Sequence, residues 1–140
     1  MSGISPKLPL RRDNTDGYEL NKTMIEAIEQ NFKNLILTNP GERIMDINFG
    51  AGIRKYIFEQ NDHLNFSRIG ADIRNATEKY IPHISINDIR IINHSYNWTE
   101  SNGPEPRPEN ANPVDDNEIQ ISIMYTIPAI GYTTVLDIAM

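Results

Sequence analysis

A chain of 140 residues with 39% hydrophobic and 23% charged side chains makes one domain, able to bury roughly two-thirds of its unfolded surface in a single core. With no cysteine, disulfides and thiolate metal sites are excluded. The formal charge of −6 leaves no basic stripe to neutralise phosphates, so no nucleic-acid partner is expected.

Residues 1–19 hold Pro6, Pro9, Arg11, Arg12, Asp13, Asn14 and Gly17 without periodicity. They read as an extended arm with only Ile4, Leu8, Leu10 and Tyr18 to anchor it, ahead of a single domain at 20–140. From Asn21 to Thr38, Met24, Ile25, Ile28, Phe32, Leu35 and Ile36 share one face of an amphipathic helix, which Pro40-Gly41 ends. A shorter helix is expected from Ala51 to Glu59, marked by Ile53, Tyr56 and Ile57. Asn61-Asp62 or Asn65 can cap a third. Its apolar face is Phe66, Ile69, Ile73, Ala76 and Tyr80, with Arg68/Asp72 and Arg74/Glu78 as i,i+4 pairs. Ile81-Pro82 closes it.

Beyond Pro82 the period changes to 2. Ile84, Ile86, Ile89 and Ile91 alternate with polar residues around Asn87-Asp88, a candidate bulge. Residues 99–117, acidic and holding Pro104, Pro106, Pro108 and Pro113, read as a long loop. Ile119, Ile121, Ile123, Tyr125 and Ile127 mark a half-buried strand. Pro128-Ala129-Ile130-Gly131 turns the chain into a last strand, Tyr132–Ala139, with Leu136 and Ile138 on one face. The expected fold is α+β: an N-terminal arm, about three helices, then a three-stranded antiparallel sheet with an exposed edge strand. Asp137 is that strand's only charge, so the edge suits addition of a partner's strand.

Catalytic chemistry finds little support. A glycosidase needs two carboxylates about 5–9.5 Å apart across a cleft. Glu42, Asp46, Glu59 and Asp62 are carboxylates without such a context in a chain holding 19 acids. His63, His83 and His94 show no metal-ligand spacing, so no metal and no cofactor is expected. Gly50-Ala51-Gly52 lacks the rest of a phosphate-binding fingerprint and reads as a turn. Tyr96 and Trp98 read as strand-end packing or as interface anchors.

The stretch from Thr38 to Glu59 is the most informative. Gly41-Glu42-Arg43, Phe49-Gly50-Ala51-Gly52 and Phe58-Glu59 form two glycine turns around a short extended piece. Glu42 and Arg43 read as turn residues that bond nearby backbone or each other. This pattern resembles the signature of the baseplate wedge proteins of contractile phage tails, the lysozyme-like sheath-initiator family, and of their type VI secretion counterparts. Gln60 stands where that family has proline, and Ile81-Pro82-His83 where it carries Glu-Pro-Arg. The resemblance implies a non-enzymatic structural subunit of a tail baseplate in the virion, assembled in the host cytoplasm. It implies as partners other wedge subunits, the sheath protein and the tail tube, with no membrane partner. Ile81, Pro82 and His83 would contact the wedge bundle. Tyr132, Thr134, Val135 and Asp137 would template the first sheath ring by strand addition. The competing readings are a peptidoglycan-degrading hydrolase and an unrelated adaptor domain.

Overall fold

The computed structural model describes residues 3–60, 62–111, 113–115 and 117–140, excluding the side chain of His63. The suggested cap residue Asn61 therefore lies outside the described residues. The arm is more ordered than its composition suggests. It folds into two short antiparallel ribbons, β1 (Ser5–Pro6) with β4 (Leu20–Asn21) and β2 (Arg12–Asp13) with β3 (Gly17–Tyr18). Gln30 fastens it to the first helix: its side-chain oxygen accepts from Leu8 N at 2.9 Å and from buried Asn21 Nδ2 at 3.0 Å, and its amide donates to Pro6 O at 2.9 Å.

Helix α1 (Met24–Leu37) starts with a reciprocal capping box: Thr23 Oγ1 accepts from Glu26 N at 3.3 Å, and Glu26 Oε2 accepts from Thr23 N at 3.2 Å. These backbone donors hold the Glu26 carboxyl below its usual range. Ala27, Phe32, Leu35 and Ile36 are its buried residues. The expected second helix is a 3₁₀ helix, Ile53–Phe58, only six residues long and launched by Gly52 in the left-handed region. Helix α2 (His63–Tyr80) buries Phe66, Ile69, Ile73 and Ala76, and ends ahead of Pro82 as its sequence requires. The suggested pairs along α2 give way to tertiary ones. Asp72 accepts from Lys55 Nζ and from Tyr56 OH, both at 2.8 Å, and Arg74 Nε donates to Glu100 Oε1 at 2.9 Å.

The sheet has five strands rather than the expected three, all antiparallel, in the order β7-β6-β5-β8-β9. These are β5 (Ser85–Ile92), β6 (Tyr96–Thr99), β7 (Gly103–Pro106), β8 (Gln120–Ile127) and β9 (Tyr132–Ala139). The two extra strands correct the reading of 99–117 as one loop. Part of that segment, Gly103–Pro106, pairs with Tyr96–Thr99. Composition argued against a strand there because of Pro104 and Pro106, but β7 is an edge, where proline is tolerated. Both prolines share one parity, opposite Trp98 and Tyr96. The hydrogen bond from Arg107 N to Ser95 O, at 3.1 Å, makes the other parity the one that faces β6. Trp98 itself is buried over Gly70, an atom of its ring standing 3.1 Å from where a Cβ at position 70 would be. The Asn87-Asp88 irregularity is present as a register shift between Ile86 and Asp88.

The glycine turns join helix ends to the core. Ala51 N donates to Leu35 O at 3.1 Å and Gly52 N to Thr38 O at 3.3 Å, which docks the turn on the end of α1. Gly50 has φ 120°, and a Cβ there would collide with the Thr38 carbonyl. Gly41 also has positive φ, 97°, but open space around it. Gly41→Ala is therefore expected to cost about 1 kcal/mol in backbone strain alone, and Gly50→Ala about 3 kcal/mol because backbone must also move. Thermal melting of the two variants checks this; equal shifts would mean the Thr38 contact is without effect.

The Arg74–Glu100 pair bridges α2 and the β6–β7 turn with both side chains about one-third exposed (34% and 33%). A double-mutant cycle with Arg74→Met and Glu100→Gln should give a coupling of about 1 kcal/mol that shrinks with added salt. No coupling would mean solvent has already screened the pair.

Candidate functional site

The sheet ends in two unlike edges. At β7 the positions that point away from the sheet are filled by Pro104 and Pro106, which have no N–H to offer. At β9 the outward positions keep their donors. Ile119 and Met140 exchange both backbone hydrogen bonds, at 3.0 and 2.9 Å. The register then runs without interruption from Gln120↔Ala139 to Ile127↔Tyr132. Bonded and non-bonded pairs alternate in an antiparallel ladder. Hence Tyr132, Thr134, Leu136 and Ile138 turn their backbone groups toward β8, and Thr133, Val135, Asp137 and Ala139 turn theirs to the open edge.

This parity divides the residues singled out from the sequence. Val135 and Asp137 present backbone donors and acceptors outward. Tyr132 and Thr134 do not. Thr133 and Ala139, which the sequence reading passed over, complete the outward set. The signal that identifies them is the Ile119–Met140 pairing, a tertiary fact. Asp137 does not guard the edge with its charge. Its carboxylate accepts from Ser122 Oγ on β8 at 2.6 Å, on the outer face of the sheet and back from the rim. Thr133 likewise meets Thr126 of β8 at 2.9 Å between hydroxyl oxygens. On the other face, Phe32 of α1 meets Tyr125 of β8 edge to face, with ring centroids 4.7 Å apart. Burial there pushes the Tyr125 hydroxyl far above its usual range, as befits a core side chain.

The turn residues gather elsewhere, at the α1 end. Glu42 accepts from Asn39 N at 3.1 Å and Asn39 Nδ2 at 3.0 Å. Arg43 lies 3.7 Å over the Phe49 ring, and Phe49 meets Tyr80 edge-on at 4.9 Å. Glu42 therefore bonds nearby backbone as expected, whereas Arg43 stacks on an aromatic ring. Gly41, Gly50 and Gly52 supply the positive φ angles of this cluster. Glu59 caps the 3₁₀ helix through its backbone N–H, which donates to Tyr56 O at 3.2 Å. Ile81 is buried in the core, while Pro82 and His83 beside it are exposed. The piece between the turns is a run of bends rather than the extended segment expected, and it carries apolar surface that the sequence reading did not mark: Ile44 and Met45 are almost fully exposed.

A groove of about 600 Å³ runs between the arm, α1 and Leu136 of β9. Its carboxylates are Glu26, already engaged by the α1 cap, and Glu29. Among the described residues no group of histidine, cysteine, aspartate or glutamate has the arrangement of a metal site, and no helix is long and apolar enough to cross a membrane.

Comparison with known proteins adds the family. No curated protein sequence matches the chain. Solved structures share its fold, among them two from tail-like systems. One, from Geobacter sulfurreducens, carries the provisional description of a tail lysozyme; it is 19% identical, with a TM-score of 0.62 over 84% of this chain and 90% of that one. The other is a chain of the anti-feeding prophage baseplate solved by cryo-EM, 20% identical, with a TM-score of 0.56 over 96% of this chain and 81% of its own. At such identities the likeness speaks for the fold alone. The family described as "Baseplate wedge protein gp25" matches residues 22–131, from the approach to α1 through the turn after β8. By that match over most of its length, the chain belongs to the gp25 baseplate wedge family.

Proposed function

We propose that this protein is a non-enzymatic structural subunit of a contractile-tail baseplate whose β9 edge accepts a strand from the sheath protein and so starts the first sheath ring. Membership of the baseplate wedge family supports the structural role. The observation that carries the strand-addition part is the contrast between the two sheet edges. Exposed edges invite pairing, and proteins blunt them with proline or charge. Here β7 is blunted by Pro104 and Pro106, whereas β9 offers Thr133, Val135, Asp137 and Ala139 in an unbroken eight-residue strand. Neighbouring wedge subunits and the tail tube complete the proposed partners, with Pro82 and His83 as the surface part of the wedge contact. Ile81 supports that corner from the core.

Val135 is the decisive position. Its N–H points outward, so Val135→Pro removes an edge donor while leaving the β8 ladder intact. The variant should fold by circular dichroism and enter the baseplate, yet yield baseplates or naked tubes in negative-stain microscopy. Val135→Lys, which keeps the donor and places a charge at the edge, should do the same. Normal sheathed tails from either folded variant would rule out β9 as the template.

A hydrolase reading would need a carboxyl poised to give up a proton at neutral pH. In the groove beside β9, Glu26 is held in its ionised form by backbone donors, the opposite of a general acid. The purified protein should leave a peptidoglycan gel intact. Clearing that disappears with Glu29→Gln would make it an enzyme.

A further inference from the structure

The groove of about 600 Å³ lies on the α1 side of the open edge, with Leu136 of β9 among its lining residues. Leu37 of α1 and Leu8 and Pro9 of the arm add apolar surface. Leu8 is 50% exposed there, although the backbone that carries it is fixed. Its N–H donates to Gln30, and its neighbour Lys7 is tied to Glu19 by a backbone bond of 2.8 Å and an ion pair of 3.1 Å. Among its charged side chains, Lys7 is engaged by Glu19 and Glu26 by the backbone of Lys22 and Thr23; Glu29 and Lys33 of α1 also line the groove. Leu8, Pro9, Leu37 and Leu136 give it an apolar wall between these charges.

A strand added to β9 would run about 4.8 Å beyond it. Its side chains opposite Thr134, Leu136 and Ile138 would point to the same face as those residues. That is the face packed against α1, since Leu136 lies opposite Ile123 and Thr134 opposite Tyr125, the residue on which Phe32 packs. They would therefore enter the groove, while the alternate side chains would stay on the outer face beside Thr133, Val135 and Asp137. We infer that the groove reads the incoming strand: it selects an extended segment of another protein that carries large apolar residues at every second position. The ladder gives the strand its place, and the groove decides which sequence and which register it accepts. A slip of one residue would put polar side chains against Leu8 and Leu136. The inference rests on the strand-addition reading and adds a sequence preference to it.

Two labelled eight-residue peptides test it. One alternates Thr with Leu, the other Thr with Ser, and both are titrated against the full chain by fluorescence anisotropy. The Leu peptide should bind at least tenfold tighter. In Leu8→Asp, an arm variant that leaves β9 untouched, the preference should vanish. Val135→Pro should weaken both peptides. Equal affinity for the two peptides would overturn the groove and leave the open edge standing. Preference retained in Leu8→Asp, or binding retained in Val135→Pro, would also overturn it, as would binding of neither peptide at millimolar concentration. In that last case the edge itself still answers to the sheath assembly assay. Self-association of the chain that Val135→Pro abolishes, without any peptide preference, would assign the edge to a second copy and overturn the inference.

Discussion

The packing of β8 against α1 is the constraint on which the rest depends. Ile121, Ile123, Tyr125 and Ile127 are almost completely inaccessible, and Phe32 of α1 closes on Tyr125. Burying side chains of this size stabilises by about 1.5–3 kcal/mol each. A shift of β8 by one residue would turn all four to the outer face. That penalty fixes the strand, and through its two ladders it fixes β5 on one side and β9 on the other. The identity of the residues at the open edge is thus a consequence of core packing one strand away.

Around that centre α1 makes two further attachments, to the glycine turn and to the arm. At the C-terminal end the glycine turn ties Leu35 and Thr38 to the 3₁₀ helix, and Phe49 carries the contact on to Tyr80 of α2. The requirement is backbone proximity, which Gly50 meets by having no side chain. At mid-helix, Gln30 receives the arm and holds it beside β9. The turn side of α1 is therefore concerned with stability, and the arm side sets the surroundings of the open edge.

The polar pairs follow geometry more than sequence spacing. Asp72 and Arg74 have helical neighbours of opposite charge, yet they bond to Lys55 and Glu100, in other elements. The Asp72 contact raises the pKa of Lys55, and the Glu100 contact raises that of Arg74, outweighing the desolvation that acts the other way. A flexible pair on a helix surface gives only about 0.2–0.5 kcal/mol, so a better-oriented partner from a neighbouring element displaces it easily.

The sequence by itself determined the elements whose periodicity is strong. The apolar face of α1 from Ile28 to Ile36, the face of α2 from Phe66 to Ala76, the bulge at Asn87-Asp88 and the alternation of β8 and β9 stand as read, because each follows from side-chain repeat along a single stretch; Met24, at the start of the α1 face, is exposed instead. The turn at Gly50 was legible from its glycines, and it carried the family resemblance. Hidden were β6 and β7, since Pro104 and Pro106 forbid a central strand and give no sign that an edge is available. The order of the arm was hidden too, because it comes from Gln30, a polar residue on the side of a helix. Only the tertiary structure decided the parity of β9: the exchange between Ile119 and Met140 turns Val135 outward and Thr134 inward. Alternation in sequence says which side chains share a face, but the direction of a strand's hydrogen bonds is set by its neighbour.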